Sequence, residues 1–220
     1  LSLIGVVQCV YVIVHVAFRS GDLVRVFLPM LYFFVLSGAF LSDFARAYIS
    51  ELIPYYDIIS WGMWTAIIPF SVLLIFQMAE ITRLPPLSNW GLLLLVPAAL
   101  LFSLIVTENI YDECTVLQGG HCPYLMEWLN VSGVVAAACS LLAIWFRRNI
   151  FVGIISQKAG KERYWLILSL LIINIALIGV TAIHFGGLDL DTNAVAIRTI
   201  LGLCFIYLVS TSMFRIYPSA

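Results

Sequence analysis

The chain has few charged residues. Asp, Glu, Lys and Arg make up 10% of its 220 residues and hydrophobic residues 63%, whereas about a quarter of the residues of a soluble domain are charged. This composition excludes an ordinary soluble domain. The most basic stretch is a short connecting loop with no fold of its own, so we expect no nucleic-acid partner.

Lysine and histidine are scarce as well. Retinal needs a lysine inside a membrane span for its Schiff base, but Lys158 and Lys161 lie in a connecting loop. A haem needs two histidines at one depth, and His15 and His184 are predicted near opposite faces. No HExxH, GxSxG or phosphate-binding glycine loop is present. We therefore expect no cofactor, no metal and no catalysis in this domain.

The sequence does contain long apolar segments. Seven apolar segments are each close to the ~20 residues that cross a bilayer as a helix. They cover about 1–18, 26–47, 58–79, 88–107, 127–146, 164–184 and 194–213. The sequence thus predicts an all-α integral membrane protein with one seven-helix domain over residues 1–220. Pro69 and Pro97 fall inside the third and fourth segments and predict kinks, which open cavities between helices.

The basic residues are sorted between the two sides of this predicted bundle. One side holds only Arg46 and Arg198, together with nine of the twelve acidic residues. The other side holds nine of the eleven basic residues: Arg19, Arg25, Arg83, Arg147, Arg148, Lys158, Lys161, Arg163 and Arg215. Because basic loops stay in the cytoplasm, we expect a multi-pass protein of the plasma or bacterial inner membrane, with its N-terminus outside and its C-terminus inside.

Polar residues near the outer ends of the spans predict a ligand pocket there, because ionisable groups inside spans are rare and mark function. The candidate ligand-binding residues are Asp43, Arg46, Trp61, Trp64, Glu127, His184 and Arg198. Arg198 lies about one turn inside the seventh span and needs an anionic partner, which is either a ligand or a carboxylate such as Asp43 or Glu127. The aromatic residues have a second interpretation as anchors at the membrane boundary.

Two polar residues lie deeper in the predicted bundle. Asn174 is in the sixth span and Gln77 is toward the inner end of the third. Carboxamides at such depths bond between helices, so we expect each of them to join its helix to a neighbour.

Two of the five cysteines flank an outer loop. Cys114 and Cys122 are separated by seven residues that include Gly119-Gly120. In an oxidising compartment this spacing predicts a disulfide. The alternative is a metal site formed by the same two thiols and His121, which would need a reducing compartment and a fourth ligand.

In architecture the chain resembles the N-terminal membrane modules of bacterial sensor proteins, which precede histidine kinase or diguanylate cyclase domains. The resemblance is carried by the seven spans, the outer Cys114–Cys122 pair, and the exit of the last span through Phe214-Arg215-Ile216-Tyr217-Pro218. It implies an output domain after residue 220. The Met-His-Tyr-Thr signature of one seven-span sensor class is absent, and no residue role is carried over.

The sequence therefore favours a sensory receptor domain that binds a small extracellular or membrane-derived ligand and signals to a cytoplasmic output. The expected partners are the lipid bilayer, this small molecule and, in signalling assemblies, a second copy of the chain. The alternatives are a small membrane enzyme or lipid-handling protein, and then a transporter or channel.

Overall fold

The computed structural model of the protein describes residues 1–19, 23–49, 53, 55–80, 85–110, 123–147, 149, 160–185, 196–197, 199–204 and 206–208. Over these ranges the regular structure is helical throughout. The prediction of an all-α chain is confirmed.

Helices occupy all seven predicted segments within the described ranges. They are α1 (Ser2–Arg19), α2 (Leu23–Ile49), α3 (Tyr56–Glu80), α4 (Leu87–Trp90), α5 (Leu95–Ile110), α6 (Pro123–Phe146), α7 (Gly160–Phe185) and α8 (Thr199–Leu208). The fourth predicted segment corresponds to α4, a 3-10 turn over Gly91–Leu94, and α5. Cysteines Cys114 and Cys122 lie outside the described residues.

Four of the helical stretches are long and apolar enough to cross a membrane: Val24–Arg46, Tyr56–Ala79, Leu87–Ile110 and Tyr124–Phe146. Three shorter apolar helices, Ser2–Phe18, Tyr164–Val180 and Thr199–Leu208, accompany them. Large apolar side chains such as Phe18, Phe34 and Phe146 are exposed on the outer faces of these helices. Exposed apolar faces of this kind suit a bundle whose surroundings are lipid, since soluble proteins rarely expose large contiguous apolar patches.

The helix α3 lies at the centre of the bundle. It contacts α2, α5, α6 and α7, and every residue from 71 to 79 is buried. The apolar character of α3 extends around its whole circumference, as expected of a helix with neighbours on all sides. Its central position means that a side chain on α3 can face a space shared by several helices.

Hydrogen bonds between helices confirm the two predictions made for the deeper carboxamides. Asn174 Nδ2 of α7 donates to Ser71 Oγ of α3 at 2.6 Å and to the carbonyl of Leu170 at 2.8 Å. Gln77 Nε2 of α3 donates to the carbonyl of Arg25 of α2 at 2.8 Å. Both bonds satisfy groups that would be costly to bury without a partner.

The two ends of the bundle differ in charge. At the end that we name the basic end, Gln77 meets Arg25, and the guanidinium of Arg147 lies 5.5 Å from the ring centroid of Phe76. These contacts bring together the start of α2, the end of α3 and the end of α6. The opposite end, which we name the acidic end, holds the end of α2 and the start of α3, joined by Arg46 and Asp57. The placement of Arg25 and Arg147 at one end of these helices and of Arg46 and Asp57 at the other agrees with the sides assigned to them from the sequence.

The prolines act differently from one helix to the next. Pro69 lies inside α3, which continues as one helix from Tyr56 to Glu80. Pro97 lies in the first turn of α5, and the residues before it form the 3-10 turn Gly91–Leu94. A proline has no N–H to donate to the carbonyl four residues earlier. In a regular α-helix the N–H of residue 97 would donate to the carbonyl of Leu93. Leu93 lies inside the segment that has 3-10 geometry.

Candidate ligand cavity

A cavity of about 140 Å³ lies between α2, α3, α6 and α7 toward the acidic end. Its lining on α3 runs from Asp57 to Ile68, a rise of roughly 16 Å at 1.5 Å per residue. On α6 the lining runs from Met126 to Ala137, and α7 contributes Leu177 and Ile178. The cavity therefore follows the seam between the central helix and its neighbours for about three helical turns.

An ion pair stands at the mouth of the cavity. Arg46 of α2 and Asp57 of α3 are joined by a bond of 3.0 Å from Nη2 to Oδ1, and their side chains are 57% and 51% exposed. An exposed pair of this kind contributes only about 0–1 kcal/mol to stability. Its main effect is electrostatic, because the two opposite charges leave the described rim of the cavity without net charge.

Hydrogen bonds fix the wall that α2 and α3 form below this mouth. Trp64 Nε1 donates to Asp43 Oδ1 at 3.1 Å, and the ring of Trp64 meets that of Phe40 edge-on, with centroids 5.7 Å apart. The Tyr56 hydroxyl donates to the carbonyl of Ser42, and the Ser42 and Ser60 hydroxyls lie 3.1 Å apart. The indole of Trp64 is thereby held in one orientation on the cavity wall.

The facing wall depends on a glycine. A Cβ atom built on Gly133 of α6 would lie 3.1 Å from Trp61 Nε1 and 3.5 Å from Thr65 Oγ1. The absence of a side chain at Gly133 therefore lets α6 approach the residues Trp61 and Thr65, which share a face of α3 at i and i+4. Asn130 lies one turn before Gly133 on the same face of α6 and also lines the cavity.

Three polar groups of the cavity have no hydrogen-bond partner among the residues that the structure describes. They are the indole N–H of Trp61, the hydroxyl of Thr65 and the carboxamide of Asn130, all of which line the cavity. These groups are available to whatever occupies the cavity, since polar groups in such a place need a partner or water.

The inner end of the cavity is apolar. Ile68 and Leu177 line it, and one turn below them Asn174 donates to Ser71. Ser71 in turn donates to the carbonyl of Ile68 at 2.7 Å. The hydrogen bond between α3 and α7 is thus directly connected to the cavity floor.

The residues predicted to bind a ligand do not all lie at the cavity. Arg46, Trp61 and Trp64 line the cavity together, and Asp43 stands behind the wall as the acceptor for Trp64. Glu127 is exposed on α6 and does not line the cavity. The side chains of His184 and Arg198 lie outside what the structure describes, so their roles stay predictions. Within the described ranges, no group of three or more His, Cys, Asp or Glu residues could hold a metal ion.

The sequence-based prediction missed Thr65, Asn130 and Gly133. Small polar residues and glycine are common in apolar helices as packing residues, so none of them is distinctive alone. The available signal was spacing, because Trp61 and Thr65 are four residues apart, and Asn130 and Gly133 three apart. Which two faces meet depends on the pairing of α3 with α6, and this pairing cannot be predicted from the sequence of either helix alone.

Comparison of the chain with protein-family models, with curated proteins and with solved structures finds no match. The function must therefore be inferred from the cavity and the charge distribution.

Proposed function

We propose that the chain is a seven-span receptor domain of the plasma membrane, with its N-terminus outside and its C-terminus in the cytoplasm. It binds a small molecule in the cavity between α2, α3, α6 and α7 and transmits the bound state to the cytoplasmic face. A cytoplasmic output would receive the signal, as in the bacterial sensor modules that the chain resembles in architecture.

The observation that carries this proposal is the position of the cavity. It opens beside Arg46 and Asp57 at the acidic end, whereas Arg25 and Arg147 lie at the basic end. Because basic loops remain in the cytoplasm, a cavity at the acidic end faces outside. Its inner end is lined by Ile68 and Leu177, above the Asn174–Ser71 bond, so a ligand that enters from outside would reach α7 at this depth, as the receptor function requires.

The helix α7 supplies a route for the signal. Leu177 and Ile178 border the cavity, Asn174 ties α7 to α3 one turn below, and α7 begins at Gly160 in the basic connection. A ligand that displaces Leu177 would strain the Asn174–Ser71 hydrogen bond and shift the cytoplasmic start of α7. Rigid helices transmit such small displacements because packed cores deform little.

A cavity-filling substitution tests this coupling without knowledge of the natural ligand. Val134 lines the cavity, whereas the next residue, Val135, does not line it and is exposed on the surface of α6. We expect Val134→Phe to push against α7 and to increase hydrogen–deuterium exchange in residues 164–170. Val135→Phe adds the same ring to the outer surface and should leave that exchange unchanged. Equal exchange profiles in the two variants would show that the cavity is not coupled to the basic end, and the receptor function would be rejected.

A further inference from the structure

The cavity combines three features that together define a ligand class. It has two indole walls and an apolar floor, three hydrogen-bonding groups without partners among the described residues, and a charge-balanced rim. We propose that its ligand is a small neutral aromatic molecule that carries a hydrogen-bond acceptor such as a carbonyl. This inference rests on the proposed function for the existence of a ligand, and it adds the chemistry of that ligand.

The volume limits the size of the ligand. An engineered apolar cavity of about 150 Å³ in another protein binds benzene, and the cavity here measures about 140 Å³. One ring with a short substituent fits this space, whereas a lipid or a peptide does not. The partly open mouth leaves room for the substituent but not for a second body of the same size.

The walls favour an aromatic ring. Trp61 and Trp64 are 7% and 8% exposed and present their remaining surface to the cavity. Aromatic rings interact favourably face to edge and in offset stacks, beyond the effect of area burial alone. Trp64 is prevented from turning away, since its N–H is committed to Asp43. The aromatic surface is therefore fixed before any ligand arrives.

The polar groups select an acceptor. The Trp61 indole offers only a donor, the Thr65 hydroxyl and the Asn130 amide offer donors as well, and all three line one region between α3 and α6. The indole N–H of Trp61 can only donate, whereas the Thr65 hydroxyl and the Asn130 amide can each donate or accept, so the group with one fixed role in this region calls for an acceptor on the ligand. A hydrocarbon of the same shape would leave these donors without a partner and would lose the water that satisfied them.

The rim argues for a neutral molecule. Arg46 is the basic residue among those that line the cavity, and its guanidinium already contacts Asp57 at 3.0 Å. A carboxylate ligand would have to compete with Asp57 for that guanidinium and would also suffer repulsion from the displaced acid. Desolvation of a charged group without a new partner is costly, so the neutral form is preferred.

Three single-ring probes of similar size separate these requirements. Acetophenone has a ring and a carbonyl, ethylbenzene has the ring alone, and benzoate has the ring and a negative charge. Binding is measured by calorimetry on the full chain in lipid nanodiscs. The Val134→Phe variant, whose cavity is filled, serves as the reference for partitioning of each probe into the bilayer. We expect acetophenone to bind about fivefold more tightly than ethylbenzene, which is the factor that one ordinary hydrogen bond provides, and benzoate to bind least.

Substitution of the donors locates the interaction. Asn130→Leu keeps the size of the side chain but removes its amide, so it should reduce the preference for acetophenone over ethylbenzene, because only Trp61 and Thr65 remain as donors. The carbonyl stretching frequency of bound acetophenone should be lowered in the natural chain and should rise again in this variant. Asn109→Leu is the matched control, because Asn109 is exposed on α5 and bonds to Ile105 of its own helix.

The outcomes distinguish this inference from the receptor function. Equal binding of acetophenone and ethylbenzene in the natural chain would overturn the role of the acceptor while leaving a ligand cavity in place, and an unchanged preference in Asn130→Leu would exclude Asn130 as a donor. Tightest binding of benzoate would overturn the neutral class. Failure of all three probes would reject the aromatic class altogether. The exchange experiment on Val134→Phe uses none of these probes. It therefore tests the receptor function independently of the ligand class.

Discussion

A Cβ atom added to Gly202 of α8 would lie 2.6 Å from Cζ of Phe40 in α2. The base of the same ring lies close to Gly5 of α1, where an added Cβ would lie 2.8 Å from Cγ and Cδ2 of Phe40. Phe40 is fully buried and also meets Trp64 edge-on. Two glycines from different helices therefore enclose one phenyl ring, and this ring supports the tryptophan of the cavity wall.

This arrangement predicts that Gly202→Ala and Gly5→Ala lower the thermal stability of the protein in detergent. The added methyl group would force the phenyl ring or a helix to move, and overpacking of this kind typically costs about 1–3 kcal/mol. Gly179→Ala in α7 is the control, since a Cβ there would meet nothing within 4 Å, and alanine is the better helix former. The prediction fails if Gly202→Ala melts at the same temperature as Gly179→Ala.

The hydrogen bond between Asn174 and Ser71 predicts an energetic coupling between α3 and α7. A double-mutant cycle with Asn174→Leu and Ser71→Ala should give a coupling of about 0.6–1.7 kcal/mol, the range measured for side-chain bonds between membrane helices. Ser140→Ala is a suitable reference, because the Ser140 hydroxyl donates to Ala136 of its own helix. Additive effects of Asn174→Leu and Ser71→Ala would mean that this bond does not join the two helices in the folded protein.

The helices were predictable from the sequence, whereas their pairing was not. Runs of about 20 apolar residues leave a helix as the structure that satisfies its own backbone in lipid, and this constraint places all seven helical regions. Their ends shifted where polar residues continue the helix, as in α2, which begins at Leu23 and ends at Ile49. The 3-10 turn before Pro97 follows from a missing N–H, but the sequence alone predicted a kink rather than that geometry.

The candidate site shows the same division. Arg46, Trp61 and Trp64 stood out because charged and large aromatic residues are conspicuous in an apolar chain. Their meeting in one cavity depends on how α2 and α3 pack. Glu127 is grouped with them because of its depth along α6, and its side chain is exposed and is not among the residues that line the cavity. The depth of a residue in a span can be predicted from the sequence. The side of the helix that faces a cavity depends on the neighbouring helices, so it cannot be predicted in this way.

The outer loop predicts a disulfide between Cys114 and Cys122, two residues that lie outside the described part of the chain. Protein purified without reductant and digested with chymotrypsin should yield a peptide pair that is 2 Da lighter than the two reduced peptides. A bridge of this kind typically contributes about 2–4 kcal/mol by restricting the unfolded chain, so reduction should lower the melting temperature. Recovery of two free thiols would exclude the bridge and would return the metal alternative with His121 to consideration.

The most direct test of the account is the sidedness of the bundle, because the proposed receptor needs its cavity outside. Single cysteines are introduced at Ser20, Gly160 and Gly187, and intact cells are treated with a membrane-impermeant maleimide. Labelling is counted as the excess over the parent chain, whose native cysteines give the background. We expect Gly187→Cys to react, and Ser20→Cys and Gly160→Cys to react only after the membrane is opened. Reaction of Gly160→Cys in intact cells would reverse the orientation, place the mouth at Arg46 and Asp57 in the cytoplasm, and contradict the proposal of an outward-facing receptor.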